Sequence, residues 1–200
     1  MGGVSLDFDV KGWSHHKGVI PHDTIDTIRD IGIEMRIDVK KYSDWKGIPC
    51  ASRFSKDLYK FYTSDIMYTV SQKYLGDTVY LFNDQIVVKL PHDTMAFSPH
   101  YDNQYGPDSN RGKNTINVSV ILDDFTDDNG ALSLKNLDDG QWVTIYPKKG
   151  DLVVIGGNTY HKSGMNLTDS PRGLYACVYT DTPIIMENYY RSIFEKVINI

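Results

Sequence analysis

The sequence predicts a mainly β domain, a sandwich or barrel of many short strands with a few supporting helices, and three observations carry that prediction. Apolar and polar residues alternate over several short segments, the period of two that an extended chain gives. Turn-rich stretches, "DDFTDDNG", "NLDDG" and "PKKGD", separate those segments at the spacing of strands in such folds. The acidic residues are almost all aspartate, with Glu34, Glu187 and Glu195 the only glutamates, and Asp favours turns and caps where Glu favours helix interiors. At 200 residues and 40% hydrophobic content the chain fits one domain, 1–200, with enough apolar material for a core.

The helices come first in the chain. "HDTIDTIRDIG" offers Asp23 as an N-cap, Ile25, Ile28 and Ile31 at helical spacing and Gly32 as a stop. "SKDLYKFYTSDIMYTVSQKYLG" reads as one broken helix or two short ones, with Ser64 as a second cap. "IMENYYRSIFEKVINI" predicts a final helix on the outside. Between them the period changes to two. In "FNDQIVVKLP", Ile86, Val88 and Leu90 form one face and Asn83, Gln85, Val87 and Lys89 the other. "TINVSVIL" repeats this, with Ile116, Val118, Val120 and Leu122 set against Thr115, Asn117, Ser119 and Ile121. Further strands are expected at 131–134, 142–145, 152–155 and 174–179.

The formal charge of -5 leaves no basic surplus to displace phosphate counterions, so neither nucleic acid nor an anionic membrane is expected as a partner. No apolar run approaches membrane-spanning length. The opening "MGGVSLDFDVKGW" has neither the basic nor the apolar region of a secretion signal, and Cys50 and Cys177 lie far apart, so a reducing cytoplasm is the expected location. The expected partner is a small molecule, and the expected state a monomer or weak homo-oligomer.

The chemistry-bearing feature is "SPHYDNQYG", which sets His100 and Asp102 two positions apart. Two His and one carboxylate on one face of an ion form the facial triad of non-haem Fe(II) oxygenases. Residues two apart on an extended segment point the same way, so both can reach one metal. Taken alone, the pair is as consistent with a solvated turn histidine. A third ligand is offered by His161, which follows the apolar strand and small glycines of "GDLVVIGGNTYHKSG". Eleven residues on stands Arg172, able either to hold a carboxylate through two hydrogen bonds or to pair with Asp169 or Asp181. Ser163 lies two after His161.

These segments together resemble the phytanoyl-CoA dioxygenase family of Fe(II)/2-oxoglutarate oxygenases. The stretches that carry the resemblance are "VVKLPHDTMAFSPHYDNQYG", "VSVILDDFTDDNGALSL" and "KKGDLVVIGGNTYHKSGMNLTDSPRGLYACVY", within a core of about 80–180. The resemblance implies a double-stranded β-helix, the cupin-like jelly roll, with His100, Asp102 and His161 as catalytic iron ligands. It implies Arg172 and Ser163 at the far carboxylate of 2-oxoglutarate, Phe97 lining the cosubstrate pocket, and Asn83, Gln85 and Lys89 supplying polar contacts. O2 is the co-reactant, and the implied reaction is hydroxylation of an aliphatic carbon of a small molecule, with release of succinate and CO2. Many relatives carry Trp on the strand after His-x-Asp, where this chain has polar Asn117 and Ser119. Halogenating relatives have Gly or Ala in place of Asp102, so its presence favours hydroxylation.

The loop "NQYGPDSNRGKN" follows the motif, and Asn103, Gln104, Tyr105 and Arg111 in it are candidate substrate contacts, with Gly106 and Gly112 bracketing a possible lid. Tyr101 and Tyr160 flank the ligands. His15 and His16 read as surface residues, and the pairs Asp123-Asp124 and Asp127-Asp128 as hairpin turns rather than a Ca2+ loop. Two other readings fit the same barrel: a catalytically silent cupin-like binding module, and a metal-dependent cupin enzyme without 2-oxoglutarate, which has no need of Arg172.

Overall fold

The computed structural model of the chain describes residues 6–41, 47–94, 96–104 and 114–184. In order these form α1 (Leu6–Lys11), β1 (Trp13–His16), α2 (His22–Lys40), β2 (Gly47–Pro49), α3 (Lys56–Tyr62), α4 (Asp65–Leu75), β3 (Tyr80–Lys89), β4 (Phe97–His100), β5 (Thr115–Ile121), β6 (Leu132–Lys135), β7 (Trp142–Ile145), β8 (Leu152–Gly156), β9 (His161–Ser163) and β10 (Arg172–Thr180). The strands make two antiparallel sheets, β1-β8-β5-β10-β3-β2 and β4-β9-β6-β7. This is the jelly roll that the family resemblance implies, within the sandwich or barrel class that alternation and turn spacing predict. The expected helix over 185–200 lies outside the described residues.

Alternation on β3 and β5 sorts side chains into two cores. Ile86, Val88, Ile116, Val118 and Val120 pack with Ile25, Ile28, Leu58 and Met67 between the larger sheet and its helices. Trp13, Ile121, Phe125, Leu132, Leu134, Val153 and Ile155 fill one part of the space between the sheets. Each fully buried aliphatic side chain contributes about 1.5–3 kcal/mol. The remaining inter-sheet space is polar, and it holds the site.

Three local readings need correction. Gly32 does not end α2, which continues to Lys40. A Cβ at Gly32 would lie 2.5 Å from Ile86 Cδ1, so the glycine is there to let the helix approach β3. The broken helix is two helices, yet Ser55 rather than Ser64 makes the side-chain cap: the Leu58 N–H donates to Ser55 Oγ at 3.3 Å, while the Ser64 hydroxyl makes no cap bond. His15 and His16 are not surface residues. They sit half-buried on β1, where His15 Nε2 bonds Asp151 Oδ2 at 2.7 Å and His16 Nε2 bonds the Tyr74 hydroxyl at 2.5 Å. Both cysteines are free and buried. No described helix is long and apolar enough to cross a membrane.

Candidate metal centre

His100 ends β4 and His161 begins β9, and the two are direct partners across the smaller sheet. Their rings lie 4.3 Å apart between centroids. Asp102 is not on the extended segment that the His-x-Asp spacing suggests. The chain leaves β4 at Tyr101, and Asp102 opens a 3-10 turn, Asp102–Gln104, that swings its carboxylate back toward the histidines. One ligand atom from each of His100, Asp102 and His161 lies within 4.8 Å of the other two, and among the described residues this is the one group of three or more such side chains able to share an ion. Asp102 Oδ1 stands 3.6 Å from His161 Nε2.

The donor set fits a metal. Each histidine donates its Nδ1–H to the carbonyl two residues before it, His100 to Ser98 at 2.7 Å and His161 to Thr159 at 3.1 Å. This fixes the tautomer and leaves Nε2 unprotonated as a ligand. Burial and the neighbouring His161 push the His100 imidazole below its usual range, against the Ser98 carbonyl and Asp102, which favours the neutral form a metal requires. The remaining carboxylate oxygen, Asp102 Oδ2, accepts from Asn117 Nδ2 at 2.9 Å, and Asn117 Oδ1 accepts from the Ser119 hydroxyl at 3.0 Å.

The turn that carries Asp102 is clamped as well. The Asn103 N–H donates to Gly157 O at 2.9 Å, Thr115 Oγ1 donates to Asn103 Oδ1 at 2.6 Å, and Asn103 Nδ2 donates to Asn158 Oδ1 at 3.1 Å. Gly157 is tightly required, since a Cβ there would sit 1.9 Å from Thr115 Oγ1 and 2.7 Å from the Asn103 amide.

A pocket opens beside the triad. Its lining includes Gln85 and Val87 from β3, Phe97 from β4, Asn117 and Ser119 from β5, Ser163 from β9, and Arg172, Leu174 and Ala176 from β10. At its far end lie two buried cations on register partners, Lys89 and Arg172. Lys89 Nζ donates to Ser163 Oγ at 2.9 Å and to the Gly164 carbonyl, and stands over the Phe97 ring. Arg172 pairs with neither Asp169 nor Asp181 by any contact described. Its Nε and Nη2 donate to the carbonyls of Asn129 and Gly130 at 3.1 and 2.7 Å, and its guanidinium stacks on Phe125, 4.3 Å from the ring centroid. Nη1 is buried with no hydrogen-bond partner. Burial lowers the Arg172 guanidinium to about 10, with Asp123 and Asp93 opposing, so it is protonated at neutral pH. A cation with an unsatisfied buried N–H in a pocket suits a carboxylate guest.

The predicted residues fall into three groups. His100, Asp102 and His161 come together, and Gln85, Phe97, Ser163 and Arg172 line one pocket with Lys89 at its end. Asn83 is further along β3, where it accepts from Cys50 Sγ at 3.5 Å, and Asn103 is engaged in the clamp rather than facing the pocket. Gln104 is exposed, and Tyr105 and Arg111 lie outside the described residues. Tyr101 and Tyr160 stack edge to face, 5.1 Å between centroids, beside the ligands. Sequence reasoning did not find the Phe125 platform under Arg172, the Asn129 and Gly130 carbonyls, or the clamp at Gly157. These are backbone and packing relations that no residue type announces.

Comparison with known proteins agrees with this site. No curated protein sequence matches the chain. Among solved structures, the non-haem α-ketoglutarate-dependent epimerase SnoN from nogalamycin biosynthesis is 18% identical, with a TM-score of 0.77 over 89% of this chain and 82% of that one. EctD from S. alaskensis, solved with 2-oxoglutarate and 5-hydroxyectoine, is 18% identical, with a TM-score of 0.76 over 87% and 73%. EvdO2 from Micromonospora carbonacea var. aurantiaca, complexed with 2-oxoglutarate, is 16% identical, with a TM-score of 0.76 over 94% and 96%. The family model described as phytanoyl-CoA dioxygenase (PhyH) matches residues 12–135 and 133–174. With that match over most of its length and a His-Asp-His triad in place, the chain belongs to the phytanoyl-CoA dioxygenase family and is a 2-oxoglutarate-dependent, non-haem iron dioxygenase.

Proposed function

We propose that the enzyme hydroxylates an aliphatic carbon of a small molecule, converting 2-oxoglutarate and O2 to succinate and CO2. His100, Asp102 and His161 would hold Fe(II), and Arg172 and Lys89, with Ser163, would hold the far carboxylate of the cosubstrate. When bound, iron and 2-oxoglutarate together supply the activation of O2 that the protein's own side chains lack. The chain contributes binding, orientation and exclusion of water.

The division of the pocket supports this assignment. Val87 and Leu174, register partners two residues along from Lys89 and Arg172, make an apolar belt between the cations and the polar layer of Gln85, Asn117 and Ser119. A dianion with a short methylene chain matches that order of charge, grease and polarity. The belt also keeps water from the cations, which strengthens their hold on a carboxylate. Phe97 closes one side beneath Lys89 Nζ.

The observation that favours hydroxylation over halogenation is Asp102 itself. The carboxylate stands at the third donor position, with Oδ2 held by Asn117 and Oδ1 3.6 Å from His161 Nε2, so that position is not vacated for a halide. EctD bound to 5-hydroxyectoine shows a fold of this kind with a hydroxylated molecule, while SnoN is described as an epimerase and SnoK as a carbocyclase. The test is aerobic incubation with Fe(II), 2-oxoglutarate and a panel of small polar candidates, followed by mass spectrometry. Gain of one oxygen atom with stoichiometric succinate supports the reading. Loss of two hydrogens, or isomerisation without oxygen gain, replaces hydroxylation by ring formation, desaturation or epimerisation on the same site.

A further inference from the structure

The inward face of β5 is polar, where the face that a central strand turns toward a second sheet is ordinarily apolar. Thr115, Asn117 and Ser119 point into the barrel, while Ile116, Val118 and Val120 point to the helices. Asn117 is 6% exposed and Ser119 3%, and the strand partners of Asn117 are the apolar residues Val178 and Ile155. Burying an amide among such neighbours costs about 1–3 kcal/mol unless it is bonded, and a leucine would fill the place at no such cost. Folding therefore gives no reason for Asn117. Its bonds do: all three polar residues of the row serve the turn that carries the carboxylate ligand, Thr115 through Asn103, Asn117 on Asp102 directly, and Ser119 behind Asn117.

The polarity of the row has one sense. Asp102 Oδ2 only accepts, so the Asn117 amide must turn its N–H2 to it, which leaves Asn117 Oδ1 to accept from Ser119. The hydroxyl locks the amide against flipping, and the amide locks the carboxylate. An oxygen already holding a hydrogen bond from a fixed amide is a poor second ligand for an ion, so Oδ1 alone is presented to the pocket.

We propose that Asn117, locked by Ser119, is a positioning residue that restricts Asp102 to binding the metal through one oxygen, which keeps the remaining coordination positions free for cosubstrate and O2. This rests on the reading of the triad as the metal site, and the experiment separates the two. Co(II), a spectroscopic stand-in for Fe(II), is titrated into the metal-free full chain, and both Kd and the intensity of the visible d–d bands are recorded for wild type, His161→Ala, Asn117→Leu and Ser119→Ala. The expected result is Co(II) binding by wild type that is lost in His161→Ala, and binding about 10- to 100-fold weaker in Asn117→Leu with an altered band intensity. Ser119→Ala should shift both in the same direction by less. The band intensity is the readout that a merely structural role would not move, because loss of both Asn117 bonds lowers the melting temperature of the metal-free variant in either case. Wild-type affinity and spectrum in a folded Asn117→Leu overturn the proposal while leaving the triad intact. Failure of wild type to bind Co(II) overturns the metal reading beneath it. Should Asn117→Leu not fold, Ser119→Ala decides, and an unchanged spectrum there overturns the proposal.

Discussion

Lys89 and Arg172 are register partners on neighbouring antiparallel strands, so their side chains leave the larger sheet together and two positive charges meet at one end of the pocket. Both are essentially inaccessible to water. Burying a cation costs free energy, and that cost is offset when an anion lies beside it. Either Arg172→Leu or Lys89→Met should therefore weaken 2-oxoglutarate binding by roughly 1.5–3 kcal/mol, or about 10- to 150-fold in Kd, the worth of a charge-assisted hydrogen bond. Metal affinity should stay within a few-fold. Calorimetric titration of 2-oxoglutarate into Co(II)-loaded protein measures this. Arg172→Lys should not restore binding, because an ammonium cannot keep the Asn129 and Gly130 carbonyls and still offer a fixed third donor.

Gly157 sets the distance between the Asp102 turn and the strand that leads to His161. Gly157→Ala would drive a methyl group into Thr115 Oγ1 and the Asn103 amide. The expected cost is about 1–3 kcal/mol in urea denaturation, as for other overpacked sites. Metal affinity should fall with it, since the displaced turn carries a ligand. Thr115→Ser, which keeps the bond to Asn103, should leave both nearly unchanged.

Asp151 gives the protein a defined acid sensitivity. Burial alone would raise its carboxyl, but the N–H groups of Lys148 and Gly18 and the His15 side chain outweigh that and leave it below the usual range. A carboxyl depressed in the folded state contributes stability that is present above its unfolded value of about 4 and is lost as pH falls through the folded value. Melting temperature should thus hold from neutrality to about pH 5 and then fall. Asp151→Asn should melt lower than wild type at pH 7, and the two curves should converge as pH falls below the usual carboxyl range.

The parts of this account legible in the sequence are those that rest on period and spacing. Alternation in "TINVSVIL" puts Asn117 and Ser119 on one face, the face that lines the pocket, and on β3 it likewise puts Gln85, Val87 and Lys89 together. Distances of two and eleven residues around His161 found Ser163 and Arg172. What stayed hidden depends on contacts between distant segments. Gly32 looks like a helix stop because composition cannot show Ile86 waiting across the sheet. The strands β1, β2, β4 and β9, of three or four residues each, lack the turn-rich stretches that bracket the equally short β6 and β7. His15 and His16 read as surface residues because Asp151 and Tyr74 lie 136 and 58 positions away.

The central claim is that His100, Asp102 and His161 form one iron site that takes 2-oxoglutarate. Anaerobic addition of Fe(II) and 2-oxoglutarate to the protein should produce a weak visible charge-transfer band from the chelated 2-oxo acid, and the band should vanish in His161→Ala while that variant keeps its fold by circular dichroism. Absence of the band in wild type, or its persistence in folded His161→Ala, would contradict the account.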